Sequence, residues 1–272
     1  LTSAPAQSLP TGGRREALAS SAQGWIVMGV LVIEQWTQFA GLAVRRIDAG
    51  DGDSAGRAYA FVNPRPRITA QGAPDAYHPE DTGSGCLRDA GWPGPDWRQR
   101  LVADPYQPQR PLRQDAGGYP GYFVSTTALH DARFPRTSAA AYLDAGRVAY
   151  LALPQDWLAE DGAGAPGDFV VVHDRGSGRH SFGLIGDSGR DRAMGEVSER
   201  MASDLSGHRA EARSGRGAPT GPLLCMVFPG SRREPAWPLQ TAVIRTRCQQ
   251  LLRAFGGVAG LAPLAASVAG EE

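Results

Sequence analysis

The chain contains no lysine. All 28 of its basic residues are arginine, and 28 acidic residues balance them to a formal net charge of zero. Schiff-base catalysis by lysine is therefore excluded. So is the broad positive field of a protein that binds nucleic acid along its whole surface. The arginine bias reads as the coding habit of a GC-rich bacterium. Cysteine is scarce: Cys86, Cys225 and Cys248 stand far apart and form no C-x-x-C, which argues against zinc ribbons and thioredoxin-like redox chemistry. One disulfide with a leftover thiol and three buried thiols both fit. The longest apolar run, Trp25 to Ile33, ends at Glu34-Gln35, well short of the ~20 residues of a membrane span. Arg14 and Arg15 precede it, but no small-residue cleavage site follows. The five histidines show no ligand spacing, and neither a metal nor a cofactor is expected. Asp48 to Asp53 lacks the twelfth-position Glu of a calcium loop and reads as a turn. Gly162 to Gly167 fits G-x-G-x-x-G, but a strand follows it where the motif needs a helix.

What is present is a chain of 272 residues, 42% of them hydrophobic, with a mean hydropathy of −0.31 and a pI near 7.1. The 35 glycines and 21 prolines argue against a helical bundle and for a turn-rich fold. Residues 1–24 read as a linker, 25–257 as the folded domain and 258–272 as a peripheral tail. The first residue is Leu, which reads as a processed product or an excised domain. Two strands are expected over 25–48 around the polar break at Glu34-Gln35, then strands at 58–69, 121–127, 147–153, 168–173, 181–186 and 222–228. A helix capped by Ser198 fits 198–205, and a longer one fits 239–255 before Gly256-Gly257. The Pro/Gly/Asp-rich stretch 70–120 reads as a long functional loop. Many short strands with two helices define a mainly β, α+β domain.

The segment 181–205 carries the chemistry. A strand runs out to Gly186, with Asp187 at its mouth. Gly195 then leads to Glu196 just before the capped helix. Two carboxylates nine residues apart face each other over one loop. Glycosidic cleavage needs such a pair, one to protonate the leaving oxygen and one on the other face. The same residues also suit ordinary structure: Asp after Gly is a turn residue, and Glu near a helix start favours the macrodipole. Glu196 is read as the acid, on the expectation that burial at the helix start raises its pKa, while the helix N-terminus works in the opposite sense. Around the pair, Tyr77, Ser125, Thr126 and Thr127 are candidates for lining a sugar cleft, or for core and strand-edge duties. Trp97 and Trp92 are candidates for stacking sugars or for anchoring the long loop. Arg190 to Arg192 read as a solvated loop.

This segment resembles the signature of glycoside hydrolase family 75, the fungal-type chitosanases and their bacterial relatives, in which a G-D-x-G turn is followed by G-E-x-S and a helix. Gly72 to Pro79, Gly121 to Leu129, Tyr150 to Pro154 and Val227 to Ser231 with Trp237 resemble the same family in the same order. The resemblance implies an inverting hydrolase of β-1,4-linked amino-sugar polysaccharide, with Asp187 and Glu196 as the catalytic pair and no cofactor. It also implies action outside the cell or in the envelope. A weaker likeness to the double-psi β-barrels of the rare lipoprotein A, barwin and expansin group implies a six-stranded barrel with two packed helices. One departure matters. Relatives carry a D-x-D-x-D-G-A-like stretch where this chain has Arg67, Thr69 and Gln71. A cleft for polycationic chitosan should be acidic. Its loss here shifts the expected substrate toward a less cationic polymer, with the glycan strand of peptidoglycan first.

The partner expected is thus a polysaccharide, with no nucleic acid and no membrane span. Two other readings stand beside the enzyme: a non-catalytic carbohydrate- or wall-binding barrel, and a wall-degrading toxin domain of a longer effector.

Overall fold

The computed structural model describes residues 31–50, 56–189 and 193–270. The expected linker, most of the Trp25–Ile33 run and the Arg190–Arg192 loop lie outside them. The chain begins with an antiparallel meander of β1 (Leu31–Phe39), β2 (Leu42–Ala49) and β3 (Gly56–Asn63). Ala40 and Gly41 both take positive φ between the closing pair Phe39 and Leu42, as a two-residue type I′ hairpin requires. The polar break expected at Glu34-Gln35 lies inside β1, because β1 is an edge strand and both residues are exposed. The irregularity falls instead at Trp36, which is skipped in the register and packs edge-on against Tyr59 and Trp157.

The remaining strands are β4 (Ile68–Thr69), β5 (Tyr150–Pro154), β6 (Phe169–Asp174), β7 (His180–Gly189), β8 (Glu196–Ser198) and β9 (Leu223–Val227). All nine form one mixed sheet in the order β1-β2-β3-β9-β6-β7-β5-β8-β4. This is an α+β architecture, but the sheet is not closed. The structure thus departs from the expected six-stranded double-psi barrel, because the β1–β2 hairpin extends the sheet past β3 and leaves β1 and β4 as edges. Among the described residues four α-helices, rather than two, accompany it: α1 (Gln155–Leu158), α2 (Glu199–Ser206), α3 (Thr241–Leu252) and α4 (Leu261–Ala269). The segment after 257 is therefore not a peripheral tail. Leu261, Leu264, Ala265 and Val268 repeat at helical spacing and are all buried. Among the described residues, no single helix is long and apolar enough to cross a membrane.

Alternation along the strands divides the core between two faces. Val170 and Val172 of β6 and Cys225 and Val227 of β9 face one cluster with Met201 and Leu205 of α2. Phe169, Val171 and Met226 face the other, with Ile244 and Leu252 of α3 and buried residues of the 70–148 loop. That loop holds almost no regular structure. The strand expected at 121–127 is reduced to isolated bridges, Arg113 with Phe123 and Leu101 with Ser125. The loop is ordered by buried side chains instead. Trp97 is only 3% exposed, and Gln71 donates from its amide to the carbonyls of Arg100 and Thr126 at 2.8 and 2.7 Å.

All three cysteines are free, and Cys225 and Cys248 are buried. Burial pushes the Cys248 thiol up to about 12, so it rests protonated and inert. Two acids near the ends of β6 are structural. Asp168 accepts from the backbone N–H groups of Ala165, Gly230 and Arg232, and Asp174 from those of Gly176, Thr220 and Gly221. His173 and His180 pair across the β6–β7 hairpin, and burial lowers both imidazole pKa values.

Candidate active site

Asp187 and Glu196 are brought to one place by strand register. Residue Ala152 of β5 pairs with Asp187 on one side and with Glu196 on the other. Directly opposed residues project from the same face of a sheet, and adjacent strands lie ~4.8 Å apart. The two acids therefore stand on one face, ~10 Å apart at their Cα atoms, with the methyl of Ala152 as the floor between them. Asp187 is partly exposed, and the Glu196 side chain keeps 11% of its surface in solvent.

A β-bulge makes this possible. Ile185 pairs with Leu151 and Asp187 with Ala152, so Gly186 is the extra residue. Without it, strict alternation from Leu184 and Ile185 would send Asp187 to the opposite face. Bulges re-aim side chains in this way next to functional sites, though rarely in parallel pairs. The position demands glycine, since a Cβ there would lie 2.5 Å from both Cβ and Cγ of the fully buried Tyr150. Gly195 serves the other acid. Its φ of +82° turns the chain into β8.

The surroundings hold both acids in place. The Ala128 N–H donates to Asp187 Oδ1 at 2.9 Å, and the Leu129 N–H donates to the Gly186 carbonyl at 3.0 Å. Thr127 locks that loop by donating to the Leu129 carbonyl and accepting from the Leu143 N–H. Arg67 Nε lies 3.7 Å from Glu196 Oε1, and the Arg67 carbonyl accepts from the Val197 N–H. Ser198 caps α2 by accepting from the Met201 N–H, as its sequence position predicts, and ties the cap to β5 by accepting from the Tyr150 N–H. The helix begins at Glu199, so Glu196 belongs to strand β8 and not to the helix start. The premise for giving it the acid role is therefore not met.

The other predicted site residues are distributed differently. Tyr77 is 1% exposed and donates its phenol to Gln71 Oε1 at 3.0 Å. Burial raises its pKa first, and the charges of Glu196 and Asp187 raise it further. Tyr150 shows the same pattern, and its phenol donates to the Gln71 carbonyl at 2.7 Å. These two phenols are the buried wall behind the acid pair. Ser125 is equally buried and accepts from the Gly72 N–H. Trp97 stacks edge-on with Trp92 inside the core. Tyr77, Ser125 and Trp97 therefore offer no surface to a sugar, because their polar or aromatic groups are already used internally. Thr126 alone of the four keeps solvent access, with its hydroxyl 3.4 Å from the Gln99 carbonyl. Of Arg67, Thr69 and Gln71, the last two are buried, and Arg67 reaches Glu196. Ala152 and Gly186 carry the geometry. Only the small size of each, next to an apolar strand pattern, marks them in the sequence.

The site is thus an acid pair on the face of an open mixed sheet, one strand apart on either side. The chain matches no protein-family model and no curated protein.

Proposed function

We propose that the protein is a glycoside hydrolase that cleaves β-1,4 links in an amino-sugar polysaccharide with inversion. The observation that carries this reading is the shared register of Asp187 and Glu196 at Ala152. Two side chains rising the same way from points ~10 Å apart suit the ~6.5–9.5 Å carboxyl separation that leaves room for a water. The resemblance of 181–205 to glycoside hydrolase family 75 supports the same pair. Arg67 gives the Glu196 carboxylate an ion partner, which suits it to drawing a proton from the water. Asp187 then protonates the leaving oxygen. Water oxygen bonds to the anomeric carbon as the glycosidic C–O bond breaks on the opposite face, and one water is consumed per link.

An arginine against a catalytic carboxylate repels a glucosamine ammonium in the neighbouring subsite. This favours a polymer less cationic than chitosan there, with peptidoglycan glycan strands as first candidate. Such a substrate places the protein's action outside the cell or in the envelope. The barrel of the double-psi proteins is not required by this reading, since the register alone positions the pair.

The test is product analysis by NMR after incubation with purified sacculi and with chitosan. New reducing ends should appear first in the inverted anomer. Asp187→Asn and Glu196→Gln should each lose at least ~10²-fold in rate while still binding polymer. Retained configuration, or unchanged rates in both variants, would overturn the proposal. Binding to sacculi without any new reducing ends would make the chain a wall-binding module.

A further inference from the structure

A cleft of about 580 Å³ opens beside the start of α2. Neither Asp187 nor Glu196 lines it. Its lining is mixed in charge, four acids (Asp75, Asp144, Glu199 and Glu211) against three arginines, with the rings of Tyr119 and Tyr122 and the Ser84 hydroxyl. The acids are close. An ideal Cβ built on Gly146 would lie 3.3 Å from Asp144 Oδ1 and 3.9 Å from Glu199 Oε2, so these oxygens are at most ~7 Å apart.

The lining charges are unequally satisfied. Arg213 is held by Asp81 and by the Gly83 and Gly85 carbonyls, Glu211 by Arg216 and Ser214, and Asp144 by Arg147. Glu199 accepts from the Ala212 N–H through Oε1 only. Among the described residues, Glu199 Oε2 and the Asp75 carboxylate have no hydrogen-bond or ion-pair partner. Ser84 Oγ is sealed from solvent and also has none. Tyr119 and Tyr122 meet edge to face at 5.7 Å, with Tyr119 37% exposed, an apolar patch that suits a pyranose ring.

We propose that this cleft is a second carbohydrate site, which takes a sugar unit bearing a primary ammonium, with Glu199 and Asp75 as the ammonium's partners. The choice of a sugar rests on the hydrolase reading above; the preference for a cation rests on the cleft. A polymer of mixed charge satisfies both sites, with a free amine here and a neutral or anionic unit against Arg67. The cleft also predicts a proton movement. Burial, with a smaller push from Asp75 and Asp144 against the pull of the Ala212 N–H and Arg209, raises Glu199 to about 7. An ammonium beside it favours the carboxylate, so binding near neutral pH expels the proton. Arg147, Arg213 and Glu211 complete the charged groups facing the cleft, and each already has an ion partner.

The experiment uses the full chain carrying Asp187→Asn, which holds sugars without cutting them. Titration calorimetry at about pH 6.5, below the ionisation of a sugar amine, compares the β-1,4 glucosamine dimer with its N,N′-diacetylated form in two buffers of different ionisation enthalpy. The amine form should bind at least ~10-fold more tightly and should release protons. Adding Glu199→Gln should abolish both effects, since Gln keeps the acceptor for the Ala212 N–H and so keeps the fold. Asp75→Asn serves as the second variant. Equal affinity for the two dimers, or a preference unchanged in both variants, overturns the proposal. Wild-type turnover of sacculi and chitosan separates the two readings. Hydrolysis without an amine preference removes the cleft alone. An amine preference without hydrolysis leaves the cleft standing and removes the hydrolase.

Discussion

Replacing Gly186 by alanine tests whether the bulge sets the chemistry. The new methyl would sit 2.5 Å from Tyr150 Cβ and Cγ and 2.9 Å from Cδ2. Carbon pairs prefer about 3.5–4.0 Å, so the contact is short by roughly 1 Å. Tyr150 cannot give way, because it is fully buried and its phenol donates to the Gln71 carbonyl. Strand β7 must move instead, at a cost of about 1–3 kcal/mol for an overpacked core. In a domain of this size that lowers Tm by roughly 2–12 °C. Asp187 follows Gly186 directly, so it moves by the same ~1 Å, enough for about a 10²-fold loss of rate. Gly183→Ala is the matched control. Its methyl would meet the Ala149 carbonyl oxygen at 2.5 Å and Met201 Cε at 2.6 Å, in the same strand but away from the acids. Both variants should melt earlier by calorimetry, and only Gly186→Ala should lose turnover per folded molecule. A Gly186→Ala protein with the wild-type rate, or a Gly183→Ala protein that loses as much, refutes the reasoning.

Other outcomes follow from the same contacts. Tyr77→Phe strips Gln71 Oε1 of its donor and should cost about 1–3 kcal/mol in urea unfolding, with KM unchanged, because the ring reaches no substrate. Trp97→Ala should cost about 3–5 kcal/mol as a core cavity, again read in unfolding and not in KM. Arg67→Ala removes a half-exposed partner of Glu196 and should raise turnover of chitosan relative to sacculi by up to ~5-fold, the equivalent of about 1 kcal/mol. Glu199 has its folded pKa raised to about 7 from 4.5. The folded state therefore holds more protons than the unfolded chain between those values, and stability falls as pH rises through that window. Glu199→Gln should stabilise the fold by roughly 1–2 kcal/mol at about pH 8, after allowance for partial solvent screening, and by nearly nothing at about pH 4.5; a constant gain at both pH values would contradict this.

Much of the architecture is legible residue by residue. The unbroken apolar runs of β6 and β9 and the Ser198 cap of α2 are local signals, and each element forms within a few residues of its expected place. The acid pair is legible as a pair. The means of bringing it together is not, since the bulge at Gly186 is defined against β5, which lies about 35 residues earlier in the chain. The burial of Tyr77, Ser125 and Trp97 is equally hidden, because only the folded 70–148 loop shows that Gln71 and the core absorb them. Glu199 was masked by its own position. An acid directly after an N-cap has a sufficient local reason, and nothing nearby announces that Asp75 and Asp144 arrive beside it. Asp168 and Asp174 make the converse point: acids next to turns, indistinguishable in sequence from Asp187, that serve to hold local backbone N–H groups, with two hydroxyls added at Asp174.

The strand between the two acids has a further consequence. Because β5 spaces them, their separation is a property of ladder geometry and owes nothing to the stretch of chain that joins β7 to β8. Changes elsewhere at the rim of the site leave the spacing of the two carboxylates intact. Substrate preference can drift at the rim of the site without the underlying reaction being rebuilt each time. Ala152 is the opposite kind of position, where one added carbon would close the gap for every substrate at once.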